Sequence, residues 1–555
     1  MMKFGEIAFF AIVASAFLTI YSCSTKDAVE GKERTEYLPV KFGAKEYWSI
    51  VNSKAQVVVK EEYVPDAEIS YVFRKSYWVQ NKKSEQWQLY SVDSPKKPLC
   101  DDCFDYATGM CANRSAVSKS GEPIQLIDSD GKLVATLSKD IIRVQKFSES
   151  GYAVCYLKSG RMGWIDSDGK IVHEGEYNDI NISPDGTIVV SKPDQNDNSS
   201  YILDSKGNQT GRLINVDTKM SMFSEDLMPV KFEEGAGYVG KDGTTQLKVK
   251  NADDVGEFVD GMAVFNRDEK WGVIDRNGEI VIRPKYNSLH NMGNGIFCAE
   301  TTPPEGTYSG KYGAINAKDE IVIPFDYDYF WDTHIGDNIL FKQEKPHWSY
   351  FLLGLDGKEV NKEEFIDISY DRTSESAYYH DVDAIADTLV MAVKRVNLSD
   401  FPADVAKRLK LKPDTTNITK ELMESFTACG LDCGVKYEFL FNTLEEKYRT
   451  VDVNDGEITE ESTIRDGWTW SESPITKVYV SSWIWYAASV RQMIVKKIKE
   501  KLVANGYKQD DTDENALYKT LKGGVLSYLQ IYWEDHTLFL LMNNPNASSD
   551  DPECE

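Results

Sequence analysis

One slot recurs nine times along this chain, filled by Ala55, Ser94, Gly131, Gly169, Gly207, Gly243, Gly278, Asp319 and Gly357, at intervals of 35 to 41 residues. The same pattern surrounds each slot. It is clearest in WGVIDRNGEIVI (Trp271 to Ile282) and returns as WSIVNSKAQVVV from Trp48, MGWIDSDGKIV from Met162 and YGAINAKDEIVI from Tyr312. A period of this length marks stacked repeats, because one unit of that size cannot bury its own apolar face and needs neighbours to cover it.

Within one repeat the residues read as a short antiparallel meander. A strand of the type GMAVFN (from Gly261), matched by GYAVCY from Gly151 and GMCANR from Gly109, precedes the motif strand. EIVIRP then closes the unit at Pro284, which has no N–H to give to a ladder. The link DRNG puts an Asp first, where its carboxylate caps the turn, and a glycine last, where positive φ costs little. DSDG at Asp128 and Asp166 invites a calcium reading, but the further ligands of a calcium loop do not follow, and a capped turn accounts for it. Gly272 beside Trp271 leaves room for close backbone approach, so that the indole lies across a neighbouring repeat. The fold expected is an all-β repeat array of about nine three-stranded tiles, propeller-like or curved and open. A closed ring stands as a near-equal alternative, since propellers usually have about four to eight four-stranded blades.

Trp271-Gly272 forms a full WG dipeptide, while Tyr312-Gly313, Met162-Gly163 and Ala236-Gly237 keep the glycine. On these residues the repeats resemble the WG-containing repeats of bacteria, over roughly residues 40 to 365. The resemblance implies an all-β repeat and carries no chemistry with it. Its structural positions here are Trp48, Trp87, Trp271, Gly272, Gly131, Gly169, Gly207, Gly243, Gly278 and Gly357.

At the N-terminus, Lys3 precedes an apolar run from Ile7 to Ile20, shorter than the roughly 20 residues of a bilayer crossing. TIYSC ends it at Cys23 and resembles the lipobox of bacterial lipoproteins. That resemblance implies a signal peptide over residues 1–22 and a lipidated linker over 23–36, with acyl chains on Cys23 as the only membrane anchor. Ser24 after the cysteine implies the outer membrane, and STKDAVEGKE resembles signals for export to the cell surface. The repeats are assigned to 37–370.

From residue 371 the period stops, and an α+β domain, with a suggestion of internal duplication, is expected to 545 before an acidic tail over 546–555. TLVMAVKRV reads as a strand, TKELMESFTACG as a helix and KYEFLFNTL as a strand. YAASVRQMIVKKIKEKLVANGY reads as a helix with Val490, Ile494, Ile498 and Val503 on one face and a stop at Gly506. GVLSYLQIYWEDHTLFLLMNN gives two strands about a polar turn.

The chain has 63 basic and 89 acidic residues, a formal charge of −26, which repels nucleic acid. In an export compartment Cys100, Cys103, Cys111, Cys429 and Cys433 are candidates for disulfides. The six histidines show no metal-binding spacing, HExxH and GxSxG do not occur, and neither a metal site nor a cofactor is expected. Trp468 with Trp470 and Trp483 with Trp485, each pair two residues apart, form the candidate binding face of the C-terminal domain. The reading that follows is a non-enzymatic outer-membrane lipoprotein displaying a repeat surface to a protein or glycan partner. Its rivals are an enzyme acting on polysaccharide or peptide from the C-terminal domain, and a structural member of an envelope complex.

Overall fold

The computed structural model describes residues 36–43, 47–60, 68–193, 199–214, 221–304, 307, 309–344, 348–369, 373–394, 398, 404, 407, 426–428, 435–440, 444–452, 461–470, 477–483, 488–521, 524–534 and 537–543. It divides into two units, Met1–Tyr379 and His380–Glu555.

Repeat 7 shows how the sequence builds the first unit. Its strands Asp254–Val255, Met262–Arg267, Lys270–Asp275 and Ile280–Tyr286 form one antiparallel sheet in chain order. The turn between the third and fourth strands is held as the Asx-Gly chemistry requires. Asp275 Oδ1 accepts the N–H groups of Asn277 and Glu279, both at 2.9 Å, and Gly278 takes φ 81°. Asp128, Asp166 and Asp204 cap their turns in the same way, so the two DSDG stretches are capped turns. Even where glycine is lost the left-handed backbone stays: Ala55 has φ 55° and Asp319 φ 66°. Ser94 departs, its turn bridging Ser91 to Ser94.

Three local expectations are corrected. Repeats 3, 4, 5, 7 and 8 carry a fourth strand ahead of the three expected; in repeats 3 and 7 it is only two residues long, too short to show as a pattern. GMCANR is not a strand: Cys111 and Arg114 exchange backbone bonds across a tight turn, and the strand is Ser115–Ser118. The fourth strand of repeat 7 also runs past Pro284 to Tyr286, because register shifts on either side of Val273↔Ile282 put the proline in a bulge.

The apolar clusters lie between repeats, not within them. Trp164 and Met162 of repeat 4 pack with Ile180, Ile188 and Tyr201 of repeat 5, and Val273 and Ile282 of repeat 7 with Phe297 and Ile315 of repeat 8. Each fully buried aliphatic or aromatic side chain contributes roughly 1.5–3 kcal/mol, so stability resides in the seams.

The ninth seam closes the array. Leu38, Val40 and Val51 of repeat 1 form one cluster with Ile335, Leu340 and Leu352 of repeat 9. Strand Phe365–Ile368, which follows repeat 9, pairs with Tyr37–Phe42 through Val40↔Ile368 and supplies repeat 1 with its first strand. Asn338 Nδ2 donates to Ser53 O at 2.7 Å, joining a turn of repeat 9 to the glycine-slot turn of repeat 1 as Arg276 of repeat 7 joins Glu225 of repeat 6. The chain then crosses the first strands of three further repeats: Ser369 Oγ donates to Ile69 O, Ser374 N to Ala107 O, and Ser376–Tyr378 pairs with Ile141–Gln145. That pairing carries the first unit as far as Tyr379.

The second unit holds helices α1 (Val382–Lys394) and α2 (Ala488–Ala504), a seven-stranded antiparallel sheet and a separate hairpin, Leu444–Asp452 with Glu461–Trp470. TLVMAVKRV is therefore helical up to Lys394 rather than a strand. Its neighbours Ile385 and Ala386 with Leu389 and Val390 make a buried stripe at helical spacing that the short window hides. Lys501 of α2 bonds Asp387 of α1 at 2.8 Å. On α2 the fourth buried residue is Leu502, while Val503 is exposed; Gly506, at φ 87°, ends the helix as expected.

Candidate functional site

The tryptophans and glycines of the repeat motif serve the seams. Trp48 and Trp87 are buried in clusters shared with the next repeat, and Trp271 is half-buried against repeat 8. A Cβ on Gly272 would lie 2.5 Å from Ile282 O and 2.8 Å from Pro284 N, so the close approach is to the fourth strand of its own repeat. Gly163, Gly237 and Gly313 meet the last strands of their own repeats in the same way. Trp164 is fully buried, and its Nε1 donates to Ser205 O of repeat 5 at 2.8 Å.

One rung of the ladder differs in repeat 9 from repeats 2, 5, 7 and 8, although repeat 3 begins it with Tyr106 and repeat 4 sets Arg143 against Tyr156. Across the first three strands it reads Glu68, Gln80, Trp87 in repeat 2; Asp179, Ser191, Ser200 in repeat 5; Asp254, Asn266, Trp271 in repeat 7; and Ser288, Glu300, Tyr312 in repeat 8. In repeat 9 it reads Tyr329, Lys342, Tyr350. Tyr329 is 45% exposed, and Trp348, two residues before Tyr350, is 43% exposed. The Lys342 ammonium lies 4.2 Å from the Trp348 ring, 5.2 Å from Tyr350 and 5.9 Å from Trp331. Tyr329 meets Trp331 edge-on at 4.9 Å, and Trp331 meets Tyr350 at 5.2 Å. Sequence reasoning missed this patch; the signal is the aromatic density of YDYFWD and HWSYF, which only the register brings together.

A second feature is a depression of about 600 Å³ lined by Arg161, Gly175, Glu176, Tyr177, Lys192 and Pro193. Arg161 pairs with Glu174, and Lys192 lies 4.4 Å from the Tyr201 ring. Beside it His173 stacks on Trp164 at 4.8 Å and meets Tyr177 OH through Nε2 at 2.8 Å. Burial, aided by the Arg161 and Lys192 charges, holds this imidazole below its ordinary value, and burial does the same to His290. In the unfolded chain both titrate near 6.5, so their contribution to stability is present above about pH 6.5 and is lost as pH falls through the lower folded values. Thermal unfolding is expected at a lower temperature near pH 5.5 than near pH 7.5, with a smaller difference in a His173→Gln/His290→Gln variant. Scanning calorimetry checks this, and an undiminished difference in the variant refutes it.

Other expected site residues stand as follows. Among the described residues Cys100, Cys103 and Cys111 form no disulfide with one another; Cys111 is buried at its tight turn, and Cys100 and Cys103 are half-buried. Cys23, Cys429, Cys433 and Trp485 lie outside the described residues. Trp468 and Trp470 fall on strand Glu461–Trp470, opposite Glu446 and Leu444, and Trp483 ends strand Lys477–Trp483, opposite Lys436 and Thr537; their side chains are outside what is described. Among the described residues no group of three or more His, Cys, Asp or Glu is placed to hold a metal ion.

Residues 271–301 and 312–344 match the family described as WG containing repeat, which places two such repeats at repeats 7 to 9 of the ring. No curated protein matches the chain. Among solved structures it is similar to a eukaryotic initiation factor, at 11% identity and a TM-score of 0.42, covering 63% of this chain and 99% of the other. It is also similar to BamB from Moraxella catarrhalis (10%, TM-score 0.25, 48% and 96% covered) and to the Dos1 propeller (10%, TM-score 0.29, 49% and 86% covered). A repeat β-array of this kind suggests a binding or scaffold role.

Proposed function

We propose that this chain is a non-enzymatic envelope lipoprotein, anchored in the outer membrane through Cys23 and exposed at the cell surface, whose repeat ring binds a protein or glycan partner. The observation that supports it best is the aromatic and cationic rung of repeat 9, where the corresponding rungs of repeats 2, 5, 7 and 8 begin with Glu68, Asp179, Asp254 and Ser288. Packing leaves nearly half of Tyr329 and Trp348 exposed, so burial alone does not explain aromatic residues there. The lipobox resemblance at Cys23 supports the anchor.

The test is made in cells producing the full chain. Labelled palmitate is expected on the wild type and absent from Cys23→Ser, which should leave the membrane fraction. A photoreactive residue at position 348 is expected to form a discrete adduct that the same residue at Ile321, which is 65% exposed on repeat 8, does not form. Label retained by Cys23→Ser, no adduct specific to position 348, or turnover of a substrate by the purified chain overturns the reading.

A further inference from the structure

We infer that the rung of repeat 9 is a glycan-binding site, with Trp348 and Tyr329 stacking on a pyranose ring and Lys342 and Glu344 bonding its hydroxyls. This rests on the partner-binding reading above and narrows it to one class of ligand.

The first argument is size. An aromatic side chain presents about 150–250 Å², so Trp348 at 43% and Tyr329 at 45% exposure together offer about 200 Å². A stable protein interface needs roughly 800 Å² from each partner. The patch is too small to anchor a protein by itself, and it suits one or two sugar rings.

The second argument is chemistry. A pyranose has a face of C–H groups whose positive hydrogens suit the negative face of an aromatic ring, and an edge of hydroxyls that both donate and accept. Repeat 9 sets those complements side by side. The ammonium of Lys342, held among the rings of Trp348, Tyr350 and Trp331, offers donors next to the aromatic faces. Glu344 is exposed and stands directly across the ladder from Trp348, and its carboxylate accepts. Behind them Trp331 and the buried Tyr350 are fixed by the closing seam, so the exposed rings are backed by a rigid layer.

The third argument is position. Two residues before the third-strand member of the rung stand Glu85 in repeat 2, Glu269 in repeat 7 and Gly310 in repeat 8, where repeat 9 has Trp348. Trp348 thus departs from the residues those repeats carry at its position, whereas an aromatic residue in the Tyr329 slot recurs in repeat 3 as Tyr106.

The experiment is affinity electrophoresis of the full-length protein through gels containing xylan, mannan, mixed-linkage β-glucan or dextran. Wild type is compared with Trp348→Ala, Tyr329→Ala and Lys342→Gln, each first checked for an unchanged unfolding temperature. At least one polysaccharide is expected to retard the wild type, and loss of either ring is expected to weaken binding about tenfold. Retardation that survives in both Trp348→Ala and Tyr329→Ala would place glycan binding elsewhere and overturn this site. No retardation by any of the four, together with a protein adduct from position 348, would overturn the glycan inference and leave the broader reading standing.

Discussion

Ile368→Asp is expected to lower the stability of the repeat ring by about 4–6 kcal/mol and to release repeat 1 from repeat 9. Ile368 is 2% exposed, opposite Val40 in the strand pair that joins the two ends of the array, and lies in one cluster with Leu38, Val51 and Leu340. Removing its burial costs roughly 2–3 kcal/mol, and an unpaired carboxylate in that place adds a similar penalty. The pattern of the loss matters more than its size. In a closed ring the terminal repeats are sealed like the interior ones; opened at one seam, the array becomes a linear stack whose ends fray first. Hydrogen exchange followed by mass spectrometry should show repeats 1 and 9 losing protection in the variant while the two seams flanking repeat 5, around Val190 and Ile202, keep it. Equal loss throughout, or none at repeat 1, would mean that Val40↔Ile368 is not the closure of the ring.

How much of this could be read in advance depends on the range of each interaction. The glycine-slot turn was legible because its chemistry spans five residues: the carboxylate of Asp275, the amides of Asn277 and Glu279, and the φ of Gly278. The seams followed from the period, since a repeat with Trp48 or Trp271 in the motif strand must bury it against something. Closure was not legible, because Phe365–Ile368 finds its partner more than 320 residues earlier and nothing local in EEFIDIS announces it. The added first strands of repeats 3 and 7 were hidden by their brevity, as in Asp254–Val255. Helix α1 was misread from VMAV, where four consecutive apolar or small residues mask a helical period that includes Ile385 and Ala386. The candidate site was the least legible part. Tyr329, Lys342 and Trp348 belong to three strands, and their difference from repeats 2, 5, 7 and 8 shows only when the ladder register aligns the rungs.

Gly272→Ala and Gly278→Ala, six residues apart in repeat 7, are expected to differ sharply in cost. At Gly272 the new methyl would lie 2.5 Å from Ile282 O and 2.8 Å from Pro284 N, both backbone atoms of the paired strand. Neither can retreat without opening the ladder at Val273↔Ile282, both members of which are buried against repeat 8. A loss of about 3 kcal/mol is expected, the upper end for overpacking. At Gly278 the obstacle is the end of the Leu247 side chain, 3.1 Å away, which can rotate, so the cost is mainly that of a left-handed alanine at φ 81°, about 1–2 kcal/mol. Repeats 1 and 8 already hold this second substitution in effect, since Ala55 and Asp319 occupy the slot with positive φ. Denaturant titration, with exchange protection of Val273 and Ile274 as the local readout, measures both variants. Equal costs would mean that the glycine of the WG dipeptide is conformational, as at the turn, and that the close approach of the fourth strand does not constrain the fold.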